Sequence, residues 1–398
     1  VEKFQGRDYK KECIMAEMTP RERVWAALNH QEPDRVPLDI GGGASTTIIE
    51  EGYEELKERW GVEAEPRIMN KIFRMARLDE SVLQRLGTDV RPLGIKPPVN
   101  WTPPPAEPGK FKDLWGITWQ QAYYGDDCYY WELDNCPLAE ASVEDIEHYP
   151  WPDLDDPGYF AGLAEDAKEL YEETDYAIMA DGGFKSFWEL GYMLRGFEQS
   201  LLDLALNPEF TIALMNKLLE INLKMTGRFL DAVGPYIHVF RAGDDLATQK
   251  GRLWSSETFD AVLRPVYKEF FDFVKSKTEA KIFFHTCGNA VPVIDELVEV
   301  GVDILNPVQV AAMGDMAEVK RRFGDRMVFW GGIDTQRALP FGTVEDVEAE
   351  VKRRIHELGP GGGFVVAAVH AIQPDVPPEN IIAMAEATRK YGTYPLAA

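Results

Sequence analysis

The chain has 398 residues, with 42 Lys+Arg against 67 Asp+Glu and a formal net charge of −25 at pH 7. A hydrophobic fraction of 45% and a mean hydropathy of −0.28 are those of a globular protein and exclude whole-chain disorder. With a pI near 4.7 the chain repels phosphate backbones and anionic bilayers, so neither nucleic acid nor membrane is an expected partner.

The four cysteines, Cys13, Cys128, Cys136 and Cys287, contain no CxxC pair and make no disulfide scaffold. The opening VEKFQGRDYKKE lacks the apolar core of a signal peptide. No run approaches the ~18 apolar residues of a membrane span. A cytoplasmic location is the resulting expectation.

Residues 1–35 read as a polar, helix-rich lead-in. Thr19-Pro20-Arg21-Glu22 supplies an N-cap and a first-turn proline for the helix RERVWAALNH. Residues 93–160 follow a different rule. Their many prolines block long helices and central strands, while their Trp and Tyr content is too high for a disordered linker. An ordered excursion is expected, with hairpins around WGITWQQAYYG and YYWELD, serving as a lid or as a homodimer interface.

Short apolar runs recur along the chain, and helical stretches separate them. They are VPLDIGGG (36–43), TDVRPLG (88–94), YAIMADGG (176–183), YIHVFRAGDD (236–245), KIFFHTCG (281–288), VDILNPVQ (302–309), MVFWGGID (327–334) and GFVVAAVH (363–370). Such runs fit parallel strands buried on both faces. Eight of them predict an α/β fold, a (β/α)8 TIM barrel forming one domain over 1–398. A doubly wound open sheet is the alternative.

In a barrel the active site gathers at the C-terminal strand ends. The residues there are Asp39, Gly41–Gly43, Arg91, Asp181, Asp244, Asp245, His285, Cys287, Asn306, Gln309, Asp334 and His370. His285-Thr286-Cys287 stands out, because alternate strand residues point to one side and imidazole and thiolate are good zinc ligands. A third ligand must come from elsewhere. His370 ends the last strand, across the mouth of a closed barrel, and Asp244, Asp245 or Asp334 is a candidate fourth. The plain alternative is that His285, Cys287 and His370 are packed core residues. Asp244-Asp245 is either an acid/base couple or a helix cap. There is no P-loop, GxGxxG, GxSxG or HExxH motif.

The chain resembles the uroporphyrinogen decarboxylase superfamily nearly end to end. The resemblance runs through RERVWAALNHQEPDRVP (21–37), GDDLATQKGRLWS (243–255), HTCGN (285–289), DILNPVQ (303–309), WGGIDTQRALPFGTVEDV (330–347) and HAIQPDVPPENI (370–381). It implies a (β/α)8 barrel. The true decarboxylases carry an arginine-rich segment near the first strand, to bind tetrapyrrole propionates. Here that place reads PLDIGGGASTT (37–47), without arginine. The cobamide-dependent methyltransferase branch binds zinc through a His-x-Cys pair and a distant Cys. His285 and Cys287 match the pair, and His370 falls at the distant cysteine.

Two imidazoles and one thiolate leave zinc with a formal charge of +1, a stronger Lewis acid than the neutral two-thiolate site. The resemblance therefore points to the O-demethylase methyltransferases. It implies methyl transfer from a small methoxylated compound to the Co(I) of a separate corrinoid protein. One zinc per chain is expected on His285, Cys287 and His370, with cobamide carried by the partner. Asp244, Asp245 and Asp181 are the expected catalytic carboxylates. Asn306, Gln309, Asp334, Arg91 and Gln249 are the expected substrate contacts. A metal-independent decarboxylase, a methylcobamide:thiol methyltransferase and a non-catalytic binding protein are the competing readings.

Overall fold

The structure is a computed structural model and describes residues 17–123, 129–183 and 186–396. Cys13 and Cys128 lie outside the described residues.

Seven parallel strands form the central sheet: β1 Val90–Gly94, β2 Ala177–Asp181, β3 Val239–Gly243, β4 Lys281–His285, β5 Ile304–Asn306, β6 Val328–Ile333 and β7 Phe364–Ala368. Each is hydrogen-bonded to the next in chain order. This is the (β/α)8-type arrangement, and a doubly wound order is ruled out.

The eighth element differs from expectation. VPLDIGGG is not a full strand but a bridge between the two edge strands. Asp39 N donates to Val366 O and Val366 N to Pro37 O, both at 2.9 Å, while Asp89 N donates to Leu38 O at 2.8 Å. Pro37 has no N–H to give, and Leu38 N turns to the Asp89 carboxylate at 2.8 Å. The ring is thus closed by a few bonds rather than a ladder.

The strands alternate strictly. Ala177, Met179, Val239, Phe283, Val328, Trp330, Val365 and Ala367 point into the barrel. Ile178, Ala180, Phe240, Ala242, Ile282, Phe284, Phe329 and Val366 face the surrounding helices. This is the period-2 pattern of a strand buried on both faces.

Helix α1, Pro20–Leu28, plugs the N-terminal end. Its capping box of Thr19 and Glu22 is formed as expected, and Val24 and Leu28 join the barrel-interior cluster. Two further helices matter below: α2, Trp188–Arg195, and α3, Arg264–Lys277.

The excursion is ordered. Strands at Lys110–Lys112, Thr118–Tyr123 and Tyr129–Asn135 form an antiparallel sheet. Trp115, Ile117 and Trp119 are buried in the main core. The sheet reaches the barrel rim, where Tyr130 Oη donates to Gln373 Oε1 at 3.1 Å. No helix among the described residues is long and apolar enough to cross a membrane.

Candidate metal centre at the barrel mouth

β4 delivers His285 inward, and the following turn is held on three sides. Thr286 N donates to Asn306 O at 2.8 Å. Cys287 N donates to Asp245 Oδ1 at 2.7 Å, and Gly288 N to Gln309 Oε1 at 2.6 Å. Gly288 has φ +88°, and a Cβ there would sit 2.6 Å from Thr248 O. The turn therefore needs glycine to bring Cys287 back over His285.

His285 is oriented from behind. Asn306 Nδ2 donates to Trp330 O at 2.9 Å, which leaves Oδ1 to accept from His285 Nδ1 at 2.5 Å. The proton is thus on Nδ1, and the Nε2 lone pair faces Cys287 Sγ at 3.4 Å. His370, two residues past β7, completes the group. Its ring centroid is 5.3 Å from that of His285. One ligand atom from each of His285, Cys287 and His370 lies within 4.8 Å of the others.

The electrostatics suit a cation. Burial lowers the His285 pKa to about 4, assisted by the Arg241 charge. Burial and then His285 lower that of His370 to about 4. Both imidazoles are therefore neutral ligands at neutral pH. Burial, then Asp245 and Glu189, push the Cys287 thiol well up. A bound cation would reverse that and favour the thiolate. Neither nitrogen of His370 has a hydrogen-bond partner among the described residues. Two imidazoles and one thiol, one imidazole held in its tautomer and the other unengaged, fit a zinc ion.

Several expected site residues have other tasks. Asp244 is engaged by the fold. Its carboxylate is buried and accepts from Phe187 N (2.7 Å), Trp188 N (2.9 Å), Glu189 N (2.6 Å) and Tyr267 Oη of α3 (2.5 Å). Burial raises its pKa to about 6, and its four donors, three on Oδ2 and one on Oδ1, engage the carboxylate in holding the fold. It caps α2, which precedes it in the chain, and so ties that helix to the mouth.

Arg91 is likewise engaged. Its guanidinium is buried beneath Glu80 (2.7 and 2.8 Å), the carbonyls of Thr88 and Val90, and the Tyr176 ring at 3.4 Å. Asn306 orients His285 and does not face a ligand. Gln309 holds the Cys287 turn and donates to exposed Gln249 Oε1 at 3.1 Å. Asp334 lines an open outer groove with Val310, Asp315, Arg337 and Arg354, away from the three ligands. Asp39 is spent on Gly42 N (2.7 Å) and Trp330 Nε1 (2.9 Å).

Asp181 and Asp245 do sit at the mouth. Two residues there escaped sequence reasoning. Glu189 opens α2, where burial, then Asp244 and Asp245, push its pKa well above the usual carboxylate range. Arg241 projects inward from β3. The start of α2 in WELGYMLR gave a faint signal for Glu189. Arg241 had none, since it reads as one polar residue inside an apolar run.

The uroporphyrinogen decarboxylase (URO-D) profile matches residues 130–391. The chain belongs to the uroporphyrinogen decarboxylase family. A uroporphyrinogen decarboxylase from Alkalilimnicola ehrlichii is 25% identical over 256 residues, covering 63% of this chain and 67% of that protein. A methylcobamide:CoM methyltransferase, MtaA, from Methanosarcina barkeri is 30% identical over 139 residues, 35% of this chain and 38% of that one. The solved structure of a methyltransferase from Methanosarcina mazei superposes with a TM-score of 0.64 at 20% identity. It covers 94% of this chain and 99% of its own, which supports the uroporphyrinogen decarboxylase family fold.

Proposed function

We propose that the protein is a corrinoid-dependent methyltransferase that takes the methyl group of a small methoxylated compound. The observation that carries this reading is the convergence of His285, Cys287 and His370 at the barrel mouth, together with the similarity to MtaA.

The acceptor is the Co(I) centre of a separate corrinoid protein. Its electron pair forms the new Co–CH3 bond as the O–CH3 bond breaks, and the released pair stays on oxygen, which takes a proton. The obstacle is the poor leaving group. His285, Cys287 and His370 would hold a zinc ion, which would supply Lewis acidity at that oxygen when bound. Asn306 keeps His285 in the tautomer whose Nε2 is free to bind metal. Asp245 Oδ1 accepts from the Cys287 backbone N–H, and burial raises the pKa of this carboxyl, which favours a protonated Oδ2 that donates to the departing oxygen. Asp181 stands at the rim, and the excursion sheet, anchored through Tyr130, walls one side of the entrance.

The test pairs metal content with turnover. Mass spectrometry of the purified protein should give about one zinc per chain, lost in Cys287→Ala. A methoxylated compound and a Co(I) corrinoid protein should give methylated corrinoid with wild type alone. Release of CO2 from a small acid, with neither corrinoid nor zinc, would move the protein to the metal-independent decarboxylases. Methylation of a thiol from methylcobamide would move it to the MtaA type.

A further inference from the structure

The segment PLDIGGGASTT carries no cation, yet the structure brings one to it from across the barrel. Arg241 lies on β3, in register with Phe283 of β4, one inward layer below His285. Its neighbours along the strand, Phe240 and Ala242, face the helices. Arg241 therefore projects into the barrel just beneath the metal ligands. Its positive charge helps lower the pKa of His285 and, after burial and His285, that of His370.

Gly43 lies beside it, where the missing side chain makes room for Met179 and leaves Arg241 in ordinary contact. A Cβ at that position would meet Met179 Sδ at 2.5 Å and Arg241 Cδ at 3.6 Å. The guanidinium then lies against buried Ser45, with Nη2 donating to Oγ at 2.9 Å.

Arg241 is not used up by these contacts. Among the described residues its single contact with a carboxylate is Nη1 to Asp181 Oδ2 at 3.2 Å. That is long for a charge-assisted bond, and the paired form would be bidentate and shorter. Asp181 is 43% exposed, so solvent already competes for it. Arg241 Nε is buried and has no acceptor among the described residues. A buried donor without a partner is costly and is relieved when an acceptor binds. The side chain itself is 21% exposed, so the pocket can reach it.

We propose that Arg241 is the carboxylate-binding residue of this pocket, and that the methyl donor is a small acid with one carboxylate beside its methoxy group. The substrate class rests on the methyl-transfer reading; the anion site does not. One guanidinium with a free Nε–H and further unused N–H donors suits a single planar carboxylate. It does not suit a polyacid, which would need several cations. Asp181 holds the guanidinium in place and yields to the incoming carboxylate. The methoxy group then extends toward His285, Cys287 and His370.

The test is calorimetric binding to the full-length, zinc-loaded protein, with matched acids and amides. The pairs are 3-methoxybenzoate with 3-methoxybenzamide, and methoxyacetate with methoxyacetamide. The acid of at least one pair should bind at least tenfold tighter than its amide. Arg241→Gln should erase the preference while the amide still binds as before, and Arg241→Lys should keep part of it. Equal binding of acid and amide, a preference that survives in Arg241→Gln, or no binding of any probe overturns the proposal. Binding that depends on Arg241, without methyl transfer to Co(I) corrinoid, would keep the anion site and overturn the methyltransferase reading.

Discussion

Both ends of the barrel bury charged groups, and they treat their arginines differently. At the N-terminal end the buried arginines are answered, although His30 Nδ1 there has no partner among the described residues. Arg23 Nε pairs with Asp34 Oδ1 and its Nη1 with Asp89 Oδ1, both at 2.7 Å. Arg35 adds a second contact to Asp89 at 2.8 Å. Arg21 places its donors on the carbonyls of Tyr171, Thr174 and Tyr176. At the mouth, among the described residues, Arg241 Nε has no acceptor, Cys287 is held as a neutral thiol, and His370 meets the His285 ring without a hydrogen bond of its own. A closed hydrogen-bond account signals a structural role. An open one signals a ligand, since native proteins rarely leave buried polar groups unpaired.

Exchanging the damage between the two ends breaks this comparison most sharply. Cys287→Ala should abolish zinc binding and methyl transfer while leaving the urea midpoint of the metal-free protein unchanged. Asp89→Ala should do the reverse. It removes the carboxylate partner of Arg35, the acceptor of the Leu38 N–H and one of the two carboxylates on Arg23, and should cost about 3–5 kcal/mol in urea denaturation, with normal activity per folded molecule. Loss of stability in the first, or of specific activity in the second, would dissolve the distinction.

Asn306→Ala sharpens it, because Asn306 is buried yet belongs to the mouth. Without its Oδ1, His285 loses its fixed tautomer, and zinc affinity should fall about 10–100-fold in a chelator competition. Unchanged affinity would make Asn306 a packing residue.

Acid supplies a third measurement. His285 and His370 at the mouth and His238 at the closed end are all lowered to about 4 by burial, with Arg241, His285 and Arg21 respectively adding to it. His238 Nδ1 accepts from Ile178 N at 3.1 Å, so it must stay unprotonated. The unfolded chain protonates these imidazoles below about pH 6.5 and the folded one only near 4. Stability of the metal-free protein is therefore full above about pH 6.5 and falls as pH drops toward 4. His370→Asn should remove part of that fall and leave the share of His238. The smallest effect is expected at Asp334. Asp334→Asn, in the outer groove, should change kcat/KM by no more than about twofold.

Much of this was legible in the residue order. Seven of the eight expected strands are present, because a strand buried on both faces must be written as an apolar run. The eighth failed because Pro37 removes a donor and Asp89 takes the N–H of Leu38. The trio His285, Cys287 and His370 was also readable. Alternation puts two of them on one side of a strand, and the third ends the strand that closes the ring.

What stayed hidden depends on ring closure. Asp244 reads as a catalytic acid until α2, which precedes it in the chain, folds back to place three backbone N–H groups on it. Arg91 reads as a ligand contact until Glu80 covers it. Arg241 reads as a chance polar residue until residues 43–45 close over it. Periodicity is a property of neighbours along the chain, so the order of residues is enough to set strands and faces. Whether a polar tip is spent or left open depends on groups brought from 11 positions away, as Glu80 is from Arg91, to 196, as Ser45 is from Arg241, and the long-range meetings are fixed only when the barrel shuts.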